Sequence, residues 1–410
     1  MKVTILNHCA HNKGDNSVLY YLDSIIRNNA SDVEICLSSS DGNMPFWYER
    51  CGEAVYWPGG KQFKKPEDSY WQNKVLRARS WAIRRMLFRP LLYLYSKKFD
   101  IAAKVLASFV VSKKFIKAIV DADYVFCSGG HHISNVLEKD CVNAQLVSLA
   151  ISDLYGGNTI LWAQTIGPIV SAPKYVVRSV SRILDGASHI FVRDRESLSL
   201  VRELSSACVE LAADSVFYSA QSMSPTVENV DRVVCAVYTA GITDKKYLAS
   251  YKEAWVEIAT KILFLGVKVT FVPMQYKGFS GDERNFLRDI VLSCNDSRVT
   301  YLDSDLSPSE TIALYKSSRC VIGHKTHAVI YGLALSKPTV ALAYHEKTRD
   351  FMRQHGLSSQ VFDDAVGNVE GIVALVQQLL NQPDKIDAVS VSSGRDLEDK
   401  IKRVFYAVEF

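Results

Sequence analysis

The chain has 410 residues, 48% of them hydrophobic and 22% charged, the composition of an ordinary folded protein long enough for two domains of roughly 200 residues. Its net charge is only +4 and no apolar run reaches the ~18–20 residues that span a bilayer, so a membrane-spanning helix is excluded and nucleic acid is not an expected partner. The nine cysteines lie singly with no CxxC pair, which excludes a zinc ribbon and points to reduced thiols.

Taken in order, the chain alternates short apolar runs with helix-period segments. The first run, "VTIL" (3–6), lies in a start that turns polar too soon for an export signal, and reads as a strand. In "NSVLYYLDSIIRN", Val18, Leu19, Leu22, Ile25 and Ile26 share one helical face. Strands are predicted over 33–38, 123–130, 159–168, 189–194 and 209–214. After a polar break at 219–231, more follow over 232–239, 267–275, 298–303, 319–324, 339–345 and 360–364, and "DLEDKIKRVFYAVEF" closes the chain as an amphipathic helix. Repeated strand–helix–strand order implies parallel strands covered on both faces. The expected architecture is α/β: a doubly wound, Rossmann-like domain over 1–218, a second over 230–393, and a C-terminal helix over 394–410. Two such domains are expected to face each other across a cleft lined by strand carboxyl ends.

One stretch interrupts the pattern. Residues 57–117 form a basic excursion, and between Lys61 and Lys117 fifteen Lys/Arg face three acids, a local +12 that leaves −8 elsewhere. Trp71, Trp81, Phe88, Tyr93 and Tyr95 are interleaved with these cations, which suits either a solvated helical insertion or contact of 61–98 with an anionic membrane surface.

Four loops at predicted strand ends carry the chemistry. In "NHCAHNKGDNS", Gly14 permits a tight turn, and Asp15, Asn16 or Ser17 can cap the next helix; alternatively Asn12 and Asp15 meet a sugar hydroxyl. In "CSGGHHISN", Gly129 and Gly130 allow backbone N–H groups near a ligand, and His131 and His132 add titratable groups. Beyond "WAQTIGP" and "IFVRDRES", Arg193 either pairs with Asp194 or Asp214 or forks onto a carboxylate or phosphate. In "CVIGHKTHAVIYGLALSKPTVALAYHEK", a helix starting near Thr326 carries Lys325 and His327 at its positive end, with Lys347 arriving from the next strand. These cations imply an anionic substrate as the missing partner. "GHKTH" lacks the spacing of a nucleotide P-loop, and His324, His327 and His345 lack the carboxylate that would make them a convincing metal site.

Together these segments resemble the polysaccharide pyruvyl transferase family. "HNKGDNS" is similar to its N-x-G-D loop, "ADYVFCSGGHH" to its glycine-ended strand and "WAQTIGP" to its G-Q-x-I-G-P segment, which contains Gln164. "RDRES" with "AADSVF" is similar to its R-D-x-x-S and A-D-x-x-F stretch, and "IGHKTHAVIYGLALSKPTVALAYHEK" to its G-x-R-x-H-A helix start and Y-x-x-K. The resemblance implies a glycosyltransferase-B-like pair of domains. The implied activity is transfer of the pyruvyl unit of phosphoenolpyruvate onto two sugar hydroxyls as a cyclic ketal, in surface polysaccharide or glycan biosynthesis. By position Arg193, His327 and Lys347 match residues implicated in the family's donor binding and catalysis, and the expected catalytic residues here are His327, Asp15 and Lys325. Substrate binding falls to Arg193, Lys347, Lys325, Asn12, Gly129, Gly130, His131 and Gln164, with no metal and no cofactor beyond phosphoenolpyruvate as co-substrate. Lys325 stands where the family usually has Arg, and His131 where a third glycine is usual. The acceptor is expected to be a sugar or oligosaccharide, lipid-linked in one variant, and the protein cytoplasmic or at the inner face of the cell membrane. The rival readings are a nucleotide-sugar glycosyltransferase of the same shape and a carbohydrate-binding protein without activity.

Overall fold

The computed structural model describes residues 1–8, 12–39, 54–56, 81–135, 138–222, 230–239, 242–276, 282–343, 346–381 and 387–406. The chain divides into two compact units: Met1–Ala10, Val18–Ser215 and Asp396–Phe410 form the first, His11–Ser17 and Val216–Arg395 the second.

The first unit is built on a seven-stranded sheet of β1 (Lys2–His8), β2 (Glu34–Ser39), β3 (Ala54–Tyr56), β4 (Tyr124–Cys127), β5 (Thr159–Gln164), β6 (His189–Val192) and β7 (Val209–Leu211), in the order β3-β2-β1-β4-β5-β6-β7. Every pairing is parallel. Its strands are nearly continuous Val/Ile/Leu runs because both faces are covered. The helices are α1 (Lys13–Asn29), which begins in the second unit, then α2 (Arg89–Ser96), α3 (Asp100–Val110), α4 (Lys113–Val120), α5 (Ala144–Leu154), α6 (Lys174–Gly186) and α7 (Arg195–Leu204). The expected strands all form; β4 to β7 end earlier than predicted, where the polar residues turn into loops, whereas β1 and β2 run past their expected ends. The strand β3 was not anticipated.

The second unit holds six parallel strands: β8 (Arg232–Ala236), β9 (Lys268–Phe271), β10 (Val299–Tyr301), β11 (Cys320–Gly323), β12 (Thr339–Leu342) and β13 (Val361–Phe362), ordered β10-β9-β8-β11-β12-β13. Around it run α8 (Lys245–Leu263), α9 (Arg284–Cys294), α10 (Pro308–Lys316), α11 (Thr326–Ala334), α12 (Glu346–Gln354) and α13 (Val369–Asn381). Trp255, Tyr251 and Phe271 fill the core beneath α8.

The closing helix α14 (Asp387–Tyr406) starts earlier than expected. Its end returns to the first unit, where Phe405 packs on Tyr124 and Phe126 and Arg403 pairs with Glu210 at 2.8 Å. In the basic excursion, residues 57–80 lie outside the described residues. From Trp81 onward it is helical, and Arg84 and Arg89 are held by Glu138 and Asp140. Among the described residues no helix is long and apolar enough to cross a membrane.

Candidate active site

In doubly wound sheets ligands collect at strand carboxyl ends where the strand order reverses. Each unit has one such point: between β1 and β4 in the first, between β8 and β11 in the second.

In the first unit the β4 end runs into Ser128, Gly129 and Gly130. Both glycines are buried by close packing. A Cβ at Gly129 would lie 3.1 Å from the Ala163 carbonyl, and one at Gly130 2.7 Å from His132 Nε2. Ala163 adopts φ +47° in an irregular register of β5, and the Gln164 side chain reaches across to β4. Its Nε2 donates to the carbonyls of Cys127 (3.0 Å) and Ser128 (2.5 Å). Gln164 is buried, and these bonds make it a brace for the glycine loop. His132 is also buried, with Nδ1 3.5 Å from Cys127 Sγ. Burial, then the nearby Arg193 and His8, push its pKa down to about 3, so it is a neutral imidazole at neutral pH. His131 is more exposed, and its carbonyl accepts from the Ser134 hydroxyl at 3.0 Å.

Arg193 lies one residue past β6 and is buried. Its Nε donates to Thr165 Oγ1 (2.9 Å) and its Nη1 to Asp214 Oδ2 (2.5 Å). Of the two pairings the sequence allowed, Asp214 is the one formed; Asp194 instead caps α7, accepting from the Ser197 N–H at 2.7 Å. The internal ion pair explains a cation beside this core without any ligand.

The second unit gathers more of the expected residues. Lys325 directly follows β11 and His324, as N-cap of α11. A lysine has no acceptor to offer the first-turn N–H groups, and no side-chain capping bond forms. A cation therefore sits at the positive end of a helix dipole, an unfavourable placement by itself. The partner the sequence did not reveal is Glu283: its fully buried carboxylate lies 3.3 Å from Lys325 Nζ and also accepts from the N–H groups of Met274 (2.8 Å) and Gln275 (3.1 Å). The inference that only an incoming anion could balance Lys325 is thus corrected, because the fold supplies an acid of its own. Burial pulls the Lys325 pKa down and pushes that of Glu283 up, each opposed by the other. Glu283 sits in a charged, glycine-flanked run, and nothing local in the sequence marks it as buried. The Lys325 ammonium also lies 5.2 Å from the Tyr238 ring centre, at the end of β8. Burial pushes the His324 pKa down to about 4, and its ring is hydrogen-bonded to the Tyr251 hydroxyl.

His327 is in the first turn of α11, and the segment Asn12–Ser17 belongs to this same unit. Tyr331, one turn further along α11, anchors that segment: its hydroxyl lies 2.8 Å from Ser17 Oγ and donates to the Lys13 carbonyl at 2.9 Å. Lys13 Nζ is held by Asp305 at 2.8 Å. The helix α1 begins at Lys13, earlier than expected, and Asn12 Oδ1 accepts from the Gly14 N–H at 2.8 Å. Capping therefore falls to Asn12, not to Asp15, Asn16 or Ser17. Asp15 sits in the first turn and is close enough to favour the charged form of Lys325. Gly14 packs directly against the His327 imidazole. Asp15, read from the first loop, is thus a neighbour of Lys325 and His327, read together from the fourth. Lys347 lies in the first turn of α12, whose Thr348 hydroxyl is 2.9 Å from that of Thr326; the Lys347 side chain and all of His345 are outside the described residues.

Three solved structures illustrate the shared fold. They are the UDP-GlcNAc 2-epimerase of Methanocaldococcus jannaschii (11% identity, TM-score 0.56, covering 99% of this chain and 100% of that one), the Anabaena protein HepE in complex with UDP and glucose (12%, 0.54, 100% and 99%), and the UDP-GlcNAc 2-epimerase of Neisseria meningitidis bound to UDP-GlcNAc (10%, 0.53, 100% and 99%). At this identity the likeness concerns architecture alone: two parallel-stranded α/β units of glycosyltransferase-B-like type. No curated protein sequence matches the chain significantly. The family model described as polysaccharide pyruvyl transferase matches residues 12–346, a span that takes in Asn12, Asp15, Arg193, Lys325 and His327 and stops one residue before Lys347. The chain belongs to the polysaccharide pyruvyl transferase family.

Proposed function

We propose that this protein transfers the pyruvyl unit of phosphoenolpyruvate to two hydroxyls of a sugar, forming a pyruvate ketal and releasing phosphate. The observation that carries the reading is the cluster at the α11 N-terminus, where a cationic N-cap, a first-turn histidine and the Asp15 carboxylate converge beside uncapped N–H groups, in a chain of this family. The donor brings about three negative charges, which suit a helix N-terminus lined by Lys325. Glu283 keeps Lys325 oriented while balancing its charge when no donor is present.

In the proposed reaction the enol methylene takes a proton and becomes a methyl group, leaving an electrophilic central carbon. One sugar hydroxyl attacks, the C–O bond to phosphate breaks, and the second hydroxyl closes the ketal. The two hydroxyl protons balance the one gained by the methylene and the one that leaves with phosphate. His327 shuttles protons, the general acid–base role an imidazole at this helix start can take, and Asp15 accepts from the acceptor hydroxyl. Lys347 adds a second cation from α12. Gln164, Gly129, Gly130, His131 and Arg193 are proposed to bind substrate, Arg193 with a guanidinium already paired to Asp214 and suited to the donor's carboxylate or phosphate. The nucleotide-sugar rival needs a carboxylate for ribose, and the acid it would use is Glu346, exposed at the start of α12 and shared between Arg349 (3.5 Å) and Arg353 (3.4 Å).

The test is phosphate release from phosphoenolpyruvate across a panel of sugar acceptors, with mass spectrometry of the product. Phosphate release coupled to the added pyruvyl mass is the expected result. Turnover of a nucleoside-diphosphate sugar, with phosphoenolpyruvate untouched, overturns the proposal.

A further inference from the structure

A surface helix normally turns polar residues to water. The helix α3 does not. Its inner side buries Ala103, Ala107 and Val110, yet its outer side is also apolar: Ile101 is 84% exposed, Val105 58% and Phe109 71%, one helical turn apart, and Phe99 just before the helix is 59% exposed. Single exposed apolar residues are unremarkable, but a continuous stripe marks a docking face. The charges around it have one sign. Lys97 and Lys98 precede the stripe, Lys104 lies within it, and Lys113 and Lys114 follow it; all are exposed. The two acids of the segment 97–121 are already engaged, Asp100 by two bonds from Arg182 (2.7 and 2.9 Å) and Asp121 by Lys117. Six lysines against these two aspartates leave the segment at +4.

We propose that the outer face of α3 lies on an anionic lipid surface, with Phe99, Ile101, Val105 and Phe109 entering the headgroup–acyl boundary and the lysines meeting acidic headgroups. An apolar stripe rimmed by lysine is the pattern of an interfacial helix. The same charge disfavours a second copy of this chain as the occupant, because a symmetric pairing sets lysine against lysine. Of this face only Lys97 and Lys98 fall within the 61–98 stretch read from the sequence, and it needs no donor or acceptor, so its fate is separable from that of the proposed reaction.

Flotation of the full chain with vesicles of phosphatidylcholine alone or with about one-third phosphatidylglycerol tests it, without phosphoenolpyruvate or sugar. The wild type is expected to float with the anionic vesicles at low salt and much less with neutral ones. The double substitution Ile101→Asn/Phe109→Ser is expected to lower partitioning at least about tenfold. Both positions are so exposed that the variant should unfold at the wild-type temperature, which circular dichroism checks. Equal flotation of variant and wild type, or no flotation of either, overturns the proposal. So does a dimer in sedimentation velocity that the double variant abolishes.

Discussion

Gly14→Ala is the sharpest probe of the α11 cluster, because structure and propensity predict opposite signs. Gly14 lies in the first turn of α1, where alanine ordinarily stabilises a helix by about 0.5–1 kcal/mol over glycine. Here an alanine Cβ would fall 2.6 Å from His327 Cε1, and nearer still to Nδ1 and Cγ, inside any tolerable carbon contact. The obstacle is a ring, not the end of a flexible chain, and overpacking of this kind costs about 1–3 kcal/mol. Removing the ring removes the obstacle. Gly14→Ala is therefore expected to destabilise the wild type by about 1–2 kcal/mol, yet to be neutral or stabilising in the His327→Ala background. The coupling energy is about 1–3 kcal/mol. Urea unfolding of the four proteins of the cycle, followed by circular dichroism and tryptophan fluorescence, measures it. Phosphate release should fall in Gly14→Ala as the imidazole is displaced. If Gly14→Ala shifts the unfolding midpoint equally with and without the His327 ring, the packing of Gly14 on His327 is refuted, and with it the positioning of that imidazole.

Further outcomes follow from other residues. His327→Ala should lower kcat by at least about 10²-fold while phosphoenolpyruvate still binds, as befits a proton shuttle; near-wild-type turnover removes it from the mechanism. Lys325→Arg, which restores the residue usual in the family, should tighten donor binding through a forked guanidinium, and an unchanged KM would argue against contact with the donor. Arg193→Ala leaves Asp214 buried without its ion-pair partner and should cost about 3–5 kcal/mol of stability whatever it does to catalysis; an unchanged unfolding midpoint would show the pair to be dispensable. With its folded pKa lowered to about 3 against an ordinary 6.5, His132 stays neutral in the fold while the unfolded chain takes up its proton, so stability should decline as pH falls through that window. By pH 4.5 the loss from this residue is about 2–3 kcal/mol, and His132→Gln should flatten the acid limb by that amount if the assignment is right.

The alternation of apolar runs and amphipathic segments was enough to read two parallel α/β domains, because strands buried on both faces must be apolar throughout and helices between them must carry one apolar face. The expected start of α11 at Thr326 was also legible, since "CVIG" can only be a buried strand and "THAVIYGLA" a buried helix. The family resemblance rested on loops at strand ends, and those loops hold Asp15, Arg193, Lys325 and His327.

What local pattern could not reveal is which charges find each other. Glu283 lies 42 positions from Lys325 in a run as polar as any surface loop, and only the way its segment meets the β9 end buries it. Arg193 had two plausible partners, and Asp214 was chosen by the sheet order that brings β6 beside β7. The membership of Asn12–Ser17 in the second unit, through Tyr331 and Asp305, follows from contacts about 300 residues apart along the chain. Periodicity reports which side of an element faces a core, so it determined the layers. Burial of a charge depends on what lies across from it, and that the tertiary structure alone decided.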